Sequence, residues 1–450
     1  MSDIKKNIRR VFWLFFIMFF GIIVYLGHFA IFVAGDIINS TLNPRVRITR
    51  ENINRGYILD RNGIVLANND NNKRYYPYGR AFSHIVGHVA VGHASVEERY
   101  NFQLTALRGE FIQRVNNLAF GTDLVGNSVT LTVDSSLQNF MYNTLGQRRG
   151  SIIVLEPSTG NILGMVSYPN YNPNTVGTYW QYLITDETSP LLNRGTQGLY
   201  APGSTFKIIT SATAIKSQIY KDFMHDCQGY ININGEIIRC FNLVAHGKID
   251  MVRAFALSCN TYFVALANYI GVENFATIAD SYFLNVPFSL PISQSQLNLS
   301  PQSTVGELMQ KSIGQGKVLT TPLYMAMIAG AVLNEGVMVA PNIVKNTSIL
   351  NFINNQQSWE VFTPQQVTQL KYMMREVVTN GTGQPAALPN VQLAGKTGTA
   401  ENDTGESHGW FVGIVLEKDI AIAVLLENSG GTGPVLPIVR NVINYIVSNI

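Results

Sequence analysis

The feature that most constrains the fold is the apolar run "VFWLFFIMFFGIIVYLGHFAIFVA" at residues 11–34, which contains no formally charged residue. As a helix rising about 1.5 Å per residue, it would be about 36 Å long, enough to cross a hydrocarbon core of about 30 Å. The apolar core of a cleaved signal peptide is usually shorter, at about 7–15 residues. The run therefore predicts an uncleaved transmembrane anchor.

The charges that precede this run indicate its orientation. Residues 1–10 hold four basic residues and one acid (Lys5, Lys6, Arg9, Arg10 and Asp3). Such a basic flank predicts a cytoplasmic tail at 1–10, an anchor at 11–34 and export of everything after about Gly35. The tail carries as much net charge as the whole chain, +3, so the exported part is close to neutral. Without a dominant basic patch, no nucleic-acid partner is expected.

Two regions with different sequence patterns follow the anchor. Residues 35–149 read as short strands and turns with few chemically reactive side chains, and "RGYILDRNGIVLANN" predicts a hairpin around Asn62-Gly63. From 150 to 450, strands lie at both ends of the segment and helices lie between them. This pattern predicts an α+β fold, in which helices pack on one antiparallel sheet, above a mainly β spacer domain.

The stretch "YAPGSTFKIITSATAIK" holds the first candidate site residues, Ser204 and Lys207. On a helix, positions three apart share a face, with Cβ atoms about 5–6 Å apart, so this pair suits a nucleophile and its base. The pair is equally compatible with a helix cap and a lysine stem that covers apolar surface. An unrelated Ser-x-x-Lys, Ser2 to Lys5, occurs in the tail, so the motif alone decides nothing.

Two more short motifs follow. Ser258-Cys259-Asn260 interrupts two predicted amphipathic helices in "MVRAFALSCNTYFVALANYIG", and by itself reads as a helix-breaking polar loop. Lys396-Thr397-Gly398-Thr399 lies on a predicted strand that should flank the site. The alternative interpretation is an exposed edge strand on which the lysine prevents aggregation. Gly398 is expected to let a ligand backbone lie close to this strand.

The order Ser-x-x-Lys, Ser-x-Asn, Lys-Thr-Gly is the motif set of serine β-lactamases and penicillin-binding proteins. Further stretches resemble class B penicillin-binding proteins, which are bitopic transpeptidases of bacterial cell-wall synthesis. These stretches are "RGYILDRNG", "HIVG", "LTVDSSLQ", "NRGTQGLYAPGSTFK", "SIGQG" and "GKTGTAE". The resemblance covers nearly all of residues 50–430. It implies a non-catalytic pedestal domain at 35–149, a penicillin-binding, serine β-lactamase-like transpeptidase domain at 150–450, and a single-pass protein of the cytoplasmic membrane.

The resemblance also implies roles for the motif residues. Ser204 would attack the D-Ala-D-Ala end of a peptidoglycan stem peptide, with Lys207 as base, Ser258 as proton relay and Asn260 orienting Lys207 and the substrate. The substrate carboxylate would be bound by Lys396, Thr397 and Thr399. The oxyanion hole would consist of the N–H groups of Ser204 and Thr399, and no cofactor or metal would be needed. Lys207 must be neutral to act as a base, so apolar burial and the charge of Lys396 are expected to lower its pKa.

The implied partners are peptidoglycan stem peptides, β-lactams and a SEDS-family glycan polymerase in the membrane. The alternative functions are those of a β-lactamase, a D,D-carboxypeptidase and a non-catalytic scaffold or β-lactam sensor.

The three cysteines, Cys227, Cys240 and Cys259, have no zinc-site spacing. In an exported domain, Cys227 and Cys240 are compatible with either a disulfide or two free thiols.

Overall fold

The computed structural model describes residues 2–29, 53–70, 73–92, 94–105, 124–284, 286–288, 290–345, 357–402 and 405–450. Its first element is helix α1, Ser2–His28, whose large apolar side chains between Ile8 and Leu26 are exposed. The span Lys5–His28 is long enough to cross a membrane, and its most apolar 18-residue window has a mean hydropathy of 2.2. The helix begins before the predicted anchor, and the end of that anchor, residues 30–34, lies outside the described residues.

The described residues between 53 and 130 form short strands and short helices. These are β1 Ile53–Asn54, β2 Ile58–Leu59, β3 Val65–Asp70, β4 Lys73–Tyr75, α2 Ser83–Val86, α3 Ser95–Arg99, α4 Asn101–Leu104, β5 Leu124–Val125 and β6 Val129–Thr130. Four strands form a sheet in the order β4-β3-β2-β6. The predicted hairpin is confirmed, because β2 and β3 pair antiparallel on either side of Asn62-Gly63. Buried Asp60 fixes the turn by accepting the N–H groups of Asn62 and Ile64, both at 2.8 Å.

The centre of the body is a five-stranded sheet in which every neighbouring pair is antiparallel. In the order β15-β16-β17-β7-β8, its strands are β15 Leu393–Ala400, β16 His408–Val415, β17 Ile420–Leu426, β7 Gly150–Glu156 and β8 Asn161–Tyr168. The strands are almost continuously buried because helices cover both faces. This arrangement confirms the predicted α+β architecture and places β15, with its Lys-Thr-Gly motif, at one edge.

The remaining elements are α5 Ser135–Leu145, α6 Val176–Thr185, α7 Lys207–Lys216, β9 His225–Cys227, β10 Tyr230–Ile233, β11 Glu236–Arg239, β12 Gly247–Ile249, α8 Met251–Ala256, α9 Asn260–Ile270, α10 Val272–Asp280, α11 Val305–Lys311, α12 Pro322–Leu333, β13 Val337–Val339, β14 Ser358–Glu360, α13 Pro364–Asn380 and α14 Val435–Asn449. Helices α5 and α14 share one apolar core with the sheet, and α7, α8, α9, α12 and α13 share the other. Helix α5 thus packs with the body although it precedes residue 150.

Candidate active site

The nucleophile candidate lies on a tight turn that runs directly into a buried helix. Residues Gly203–Phe206 form a 3₁₀ turn and α7 begins at Lys207, so the Ser-x-x-Lys motif lies at the start of a helix. Ser204 is half-buried, whereas Lys207 is fully buried. The distance from Lys207 Nζ to Ser204 Oγ is 3.0 Å. The first motif therefore forms the predicted hydrogen-bonded pair.

The Ser-x-Asn motif meets the same ammonium group. Lys207 Nζ lies 2.7 Å from the Ser258 carbonyl oxygen, 3.3 Å from Ser258 Oγ and 2.7 Å from Asn260 Oδ1. The break predicted between two helices is confirmed, since α8 ends at Ala256 and α9 begins at Asn260. Ser258 has a φ of 57°, a left-handed conformation that costs a non-glycine residue on the order of 1–3 kcal/mol. This conformation turns the chain so that Ser258 presents both of its oxygens to Lys207.

The third motif completes the cluster. Lys396 Nζ donates to Ser258 Oγ at 2.9 Å and to the Thr397 carbonyl oxygen at 3.1 Å. The hydroxyl of Ser258 therefore lies between two lysines, Lys207 and Lys396, both fully buried. Apolar rings line the two ammonium groups, with Phe263 5.5 Å from Lys207 Nζ and Phe255 5.6 Å from Lys396 Nζ.

Burial sets the protonation of this pair. Removal from water lowers the pKa of Lys207 to about 7, and negative charge on the sulfur of Cys259 or Cys240 opposes this shift to a smaller extent. Burial also lowers the pKa of Lys396 well below its usual value, and the charge of Lys207 lowers it further. The expected neutral base is thus supported, with burial as its main cause.

The other residues of the Lys-Thr-Gly motif differ in their surroundings. The Thr397 side chain is buried, and its hydroxyl pairs with that of Thr382 at 2.5 Å, whereas Thr399 is half-buried. A Cβ on Gly398 would lie 2.8 Å from Thr205 Cγ2 and 3.0 Å from the Pro202 carbonyl oxygen. The glycine is therefore needed for packing the turn Gly203–Phe206 on β15, a role that the sequence did not predict. Close approach of a ligand backbone to this strand stays a prediction.

A buried ion pair that the sequence did not predict supports the segment before Ser204. Glu427 Oε1 accepts hydrogen bonds from Arg194 Nε and from the Tyr200 hydroxyl, both at 2.7 Å. The Arg194 side chain is 2% exposed and that of Glu427 is 9% exposed. Residues far apart in the chain are thereby joined directly behind the turn Gly203–Phe206, which carries Ser204.

A cleft of about 810 Å³ opens beside Asn260, between Arg239, Gln315 and Glu401.

Among the described residues, a group of side chains that could hold a metal ion lies next to the Ser-x-Asn motif. A nitrogen of His246 and the sulfur atoms of Cys227, Cys240 and Cys259 all lie within 4.8 Å of one another. The cysteines are free thiols in the structure. Linear zinc spacing does not reveal this group because the four residues come from separate segments. The available signal was the confinement of every cysteine, together with His246, to residues 227–259.

Comparison with known proteins was consistent with this geometry. Residues 150–444 match the family model described as the penicillin-binding protein transpeptidase domain. Peptidoglycan D,D-transpeptidase PbpA of Mycolicibacterium smegmatis is 30% identical over 439 residues, which cover 89% of each chain. Peptidoglycan D,D-transpeptidase MrdA of Acinetobacter baumannii is 28% identical over 83% of this chain and 66% of its own length. The penicillin G acyl-enzyme complex of penicillin-binding protein A from M. tuberculosis superposes with a TM-score of 0.78 at 28% identity, covering 88% of this chain and 100% of that one.

Proposed function

Because the chain belongs to the family of penicillin-binding protein transpeptidases, we propose that it is a peptidoglycan D,D-transpeptidase. Its donor is the D-Ala-D-Ala end of a stem peptide, its acceptor is an amine of a neighbouring strand, and β-lactams occupy the donor site. The observation that carries this proposal is the 3.0 Å contact between Lys207 Nζ and Ser204 Oγ, made by a lysine that also binds the Ser-x-Asn motif.

Acylation begins at Ser204. Its Oγ attacks the carbonyl carbon of the penultimate D-Ala as its proton passes to neutral Lys207. The new ester bond forms, the bond between the two D-Ala residues breaks, and the departing amine takes up a proton. Ser258 relays that proton, since its Oγ lies 3.3 Å from Lys207 Nζ. The acceptor amine then attacks the ester, and its surplus proton returns along the same route to Ser204.

Substrate charge completes the site. Lys396 is buried with a lowered pKa, and the terminal carboxylate of the donor supplies the opposite charge that favours its protonated form. Thr397 and Thr399 bind the same carboxylate. The N–H groups of Ser204 and Thr399 stabilise the oxyanion, with each donor contributing about 2.7–4 kcal/mol in the transition state.

The partners of Lys207 favour a long-lived acyl-enzyme. Each hydrogen-bond acceptor of its Nζ among the described residues is a hydroxyl, carbonyl or amide oxygen, not a carboxylate. A carboxylate at that position would be one group able to activate a water molecule for rapid hydrolysis of the ester. We therefore expect the acyl-enzyme to persist until an amine arrives.

The membrane arrangement belongs to the same proposal. Helix α1 spans the cytoplasmic membrane once, with the basic residues before its apolar run in the cytoplasm and the transpeptidase domain outside. Together with the pedestal, it contacts a SEDS-family glycan polymerase, which supplies the strands to be cross-linked.

The test is labelling of the full chain in detergent with a fluorescent penicillin, followed by intact-mass measurement and peptide mapping. A long-lived adduct on Ser204 that is absent from Ser204→Ala, together with product formation from a stem peptide and an amine acceptor, supports transpeptidation. Rapid loss of the adduct would instead indicate a β-lactamase, and release of D-Ala without amine transfer a carboxypeptidase. Folded protein that forms a stable adduct but turns over no stem peptide would be a sensor.

A further inference from the structure

A second cavity lies away from the catalytic motifs, where the region before residue 105 packs on the body that carries the five-stranded sheet. Its volume is about 580 Å³, within the range of about 300–1,000 Å³ that is typical of small-molecule sites. One wall comes from residues around α2 and α3, and the other comes mainly from β8, α6 and residues 191–197. None of the described residues of the three catalytic motifs lines this cavity.

Aromatic rings form much of the cavity wall. The ring centroid of His88 lies 5.6 Å from that of Tyr171 and 6.0 Å from that of Trp180, with interplanar angles of 82° and 67°. Edge-to-face contacts of this kind are a preferred arrangement of aromatic rings. Tyr100 lines the same cavity from the end of α3. Flat rings in the wall favour a ligand whose own body is flat and apolar.

Two buried polar atoms belong to residues that line this cavity. His88 Nδ1 and Thr196 Oγ1 have no hydrogen-bond partner among the described residues. His88 is 4% exposed and Thr196 is 2% exposed. A buried polar group without a partner is destabilising, so a ligand that supplies one is favoured. A hydroxyl group suits both residues, because it can donate and accept and therefore pairs with a threonine hydroxyl and with either tautomer of an imidazole.

The interior of the cavity carries no net charge. Burial lowers the pKa of His84 to about 4 and also lowers the pKa of His88, so both imidazoles are uncharged at neutral pH. Glu98 and Arg99 line the cavity but are exposed, and their charges are opposite. A charged ligand would lose its hydration without gaining a counter-charge inside, which favours a neutral ligand.

The cavity also touches the segment that leads to the nucleophile. His84 Nε2 donates to the Pro190 carbonyl oxygen at 3.0 Å, which joins α2 to the start of this segment. Thr196 lies between Arg194 and Tyr200, the two residues that bind Glu427 behind the turn Gly203–Phe206. A ligand in the cavity would therefore contact both sides of this junction.

We propose that the cavity binds a small neutral molecule with a flat aromatic body and a hydroxyl group, and that its occupant holds the α2–α3 region against residues 191–200. A fatty acyl chain would fill the same volume but would leave the polar atoms of His88 and Thr196 unpaired. The proposal does not rest on the function proposed above.

The test uses the full chain in detergent and N-acetyltyramine, a neutral phenol, as the probe. N-phenethylacetamide, the same molecule without the hydroxyl group, is the matched ligand. The double variant His88→Phe/Thr196→Val removes both polar groups but keeps a ring and a branched side chain in place. Ser211→Ala is the matched control variant, because the Ser211 hydroxyl is also buried without a partner among the described residues but does not line the cavity.

Calorimetric titration should give a dissociation constant of about 0.1–1 mM for N-acetyltyramine, in the wild type and in Ser211→Ala alike. N-phenethylacetamide should bind these two proteins about fivefold more weakly, because it lacks the hydrogen-bonding group. The double variant should bind both molecules equally weakly, which assigns the lost hydrogen bond to His88 and Thr196. Saturating probe should slow amide hydrogen exchange in both walls, at residues 94–100 and 191–200.

Three results of the titrations would overturn the proposal. These are no binding of N-acetyltyramine to the wild type, equal affinity of the wild type for the two molecules, and a double variant that still prefers the phenol. Competition between the probe and fluorescent penicillin would place the probe in the active-site cleft and would also overturn it. If the double variant does not fold, the comparison of the two molecules on the wild type still decides. Titration and hydrogen exchange require no acylation, so failure of the wild type to react with penicillin would count against the proposed function alone.

Discussion

The protonation of Lys207 should control the pH dependence of acylation. Burial lowers its pKa from 10.5 to about 7. At about 1.36 kcal/mol per tenfold change, this corresponds to about 5 kcal/mol of preference for the neutral amine. About half of the molecules then carry a neutral base at pH 7, compared with about one in 3,000 at the unshifted pKa.

The assay is the second-order rate constant for fluorescent penicillin on Ser204, measured from about pH 5 to about pH 9. A required base must be unprotonated, so the rate should rise about tenfold per pH unit below about pH 7 and then level off. The Lys396→Met variant should be slower at every pH but keep the same midpoint, because burial is the main cause of the low pKa of Lys207.

The same lysine should affect stability with a defined sign. Between about pH 7 and pH 10.5 the unfolded chain holds a proton that folded Lys207 has released, so the free energy of unfolding should rise with pH over this window. Denaturant unfolding of the wild type and of Lys207→Met would separate this contribution.

Three results of the acylation assay would refute burial as the cause of the low pKa of Lys207. These are a rate midpoint near pH 10, a flat pH profile, and a midpoint that moves when Lys396 is removed.

Two further predictions concern the support of the nucleophile turn. Gly398→Ala should slow acylation and lower the melting temperature, because its Cβ would lie within 3.0 Å of that turn; Gly433→Ala, with no atom within 4 Å of the added Cβ, should change neither. Glu427→Gln leaves buried Arg194 without its charge partner and should destabilise the fold by about 3–5 kcal/mol in denaturant unfolding. Arg149→Ala removes the partner of Glu427 that is 45% exposed, and should lower the free energy of unfolding by less than about 1 kcal/mol. Equal losses of stability in Glu427→Gln and Arg149→Ala would contradict the stronger role given to the buried pair.

Much of the fold could be predicted because local chemistry determines it. Short-range residue preferences determine the Asn62-Gly63 turn and the helix break at Ser258. The motif order also predicted that Lys207 and Lys396 would converge near Ser258. This convergence could be predicted only from the family resemblance, because spacing along the sequence does not determine distances in space.

The features that were missed depend on contacts between distant segments. Glu427 and Arg194 look like ordinary surface charges until the strand and the loop that carry them meet. His246 has no helical or short-range relation to the cysteines it approaches. The packing role of Gly398 becomes visible only in the structure, where Thr205 occupies the space next to its absent side chain. Tertiary packing decides each of these cases, and the linear pattern does not encode it.

The position of β15 at the edge of the sheet brings a conflict between solubility and catalysis. Arg375 caps one end of this edge by donating to the Leu393 carbonyl oxygen at 2.7 Å. Farther along, the Lys396–Thr399 segment has a strand partner, β16, on only one side among the described residues. An open edge is a template on which another chain can add a strand and aggregate. If a stem peptide binds as that added strand, the enzyme has to keep this template exposed, and a one-residue slip of the peptide would present the wrong amide bond to Ser204.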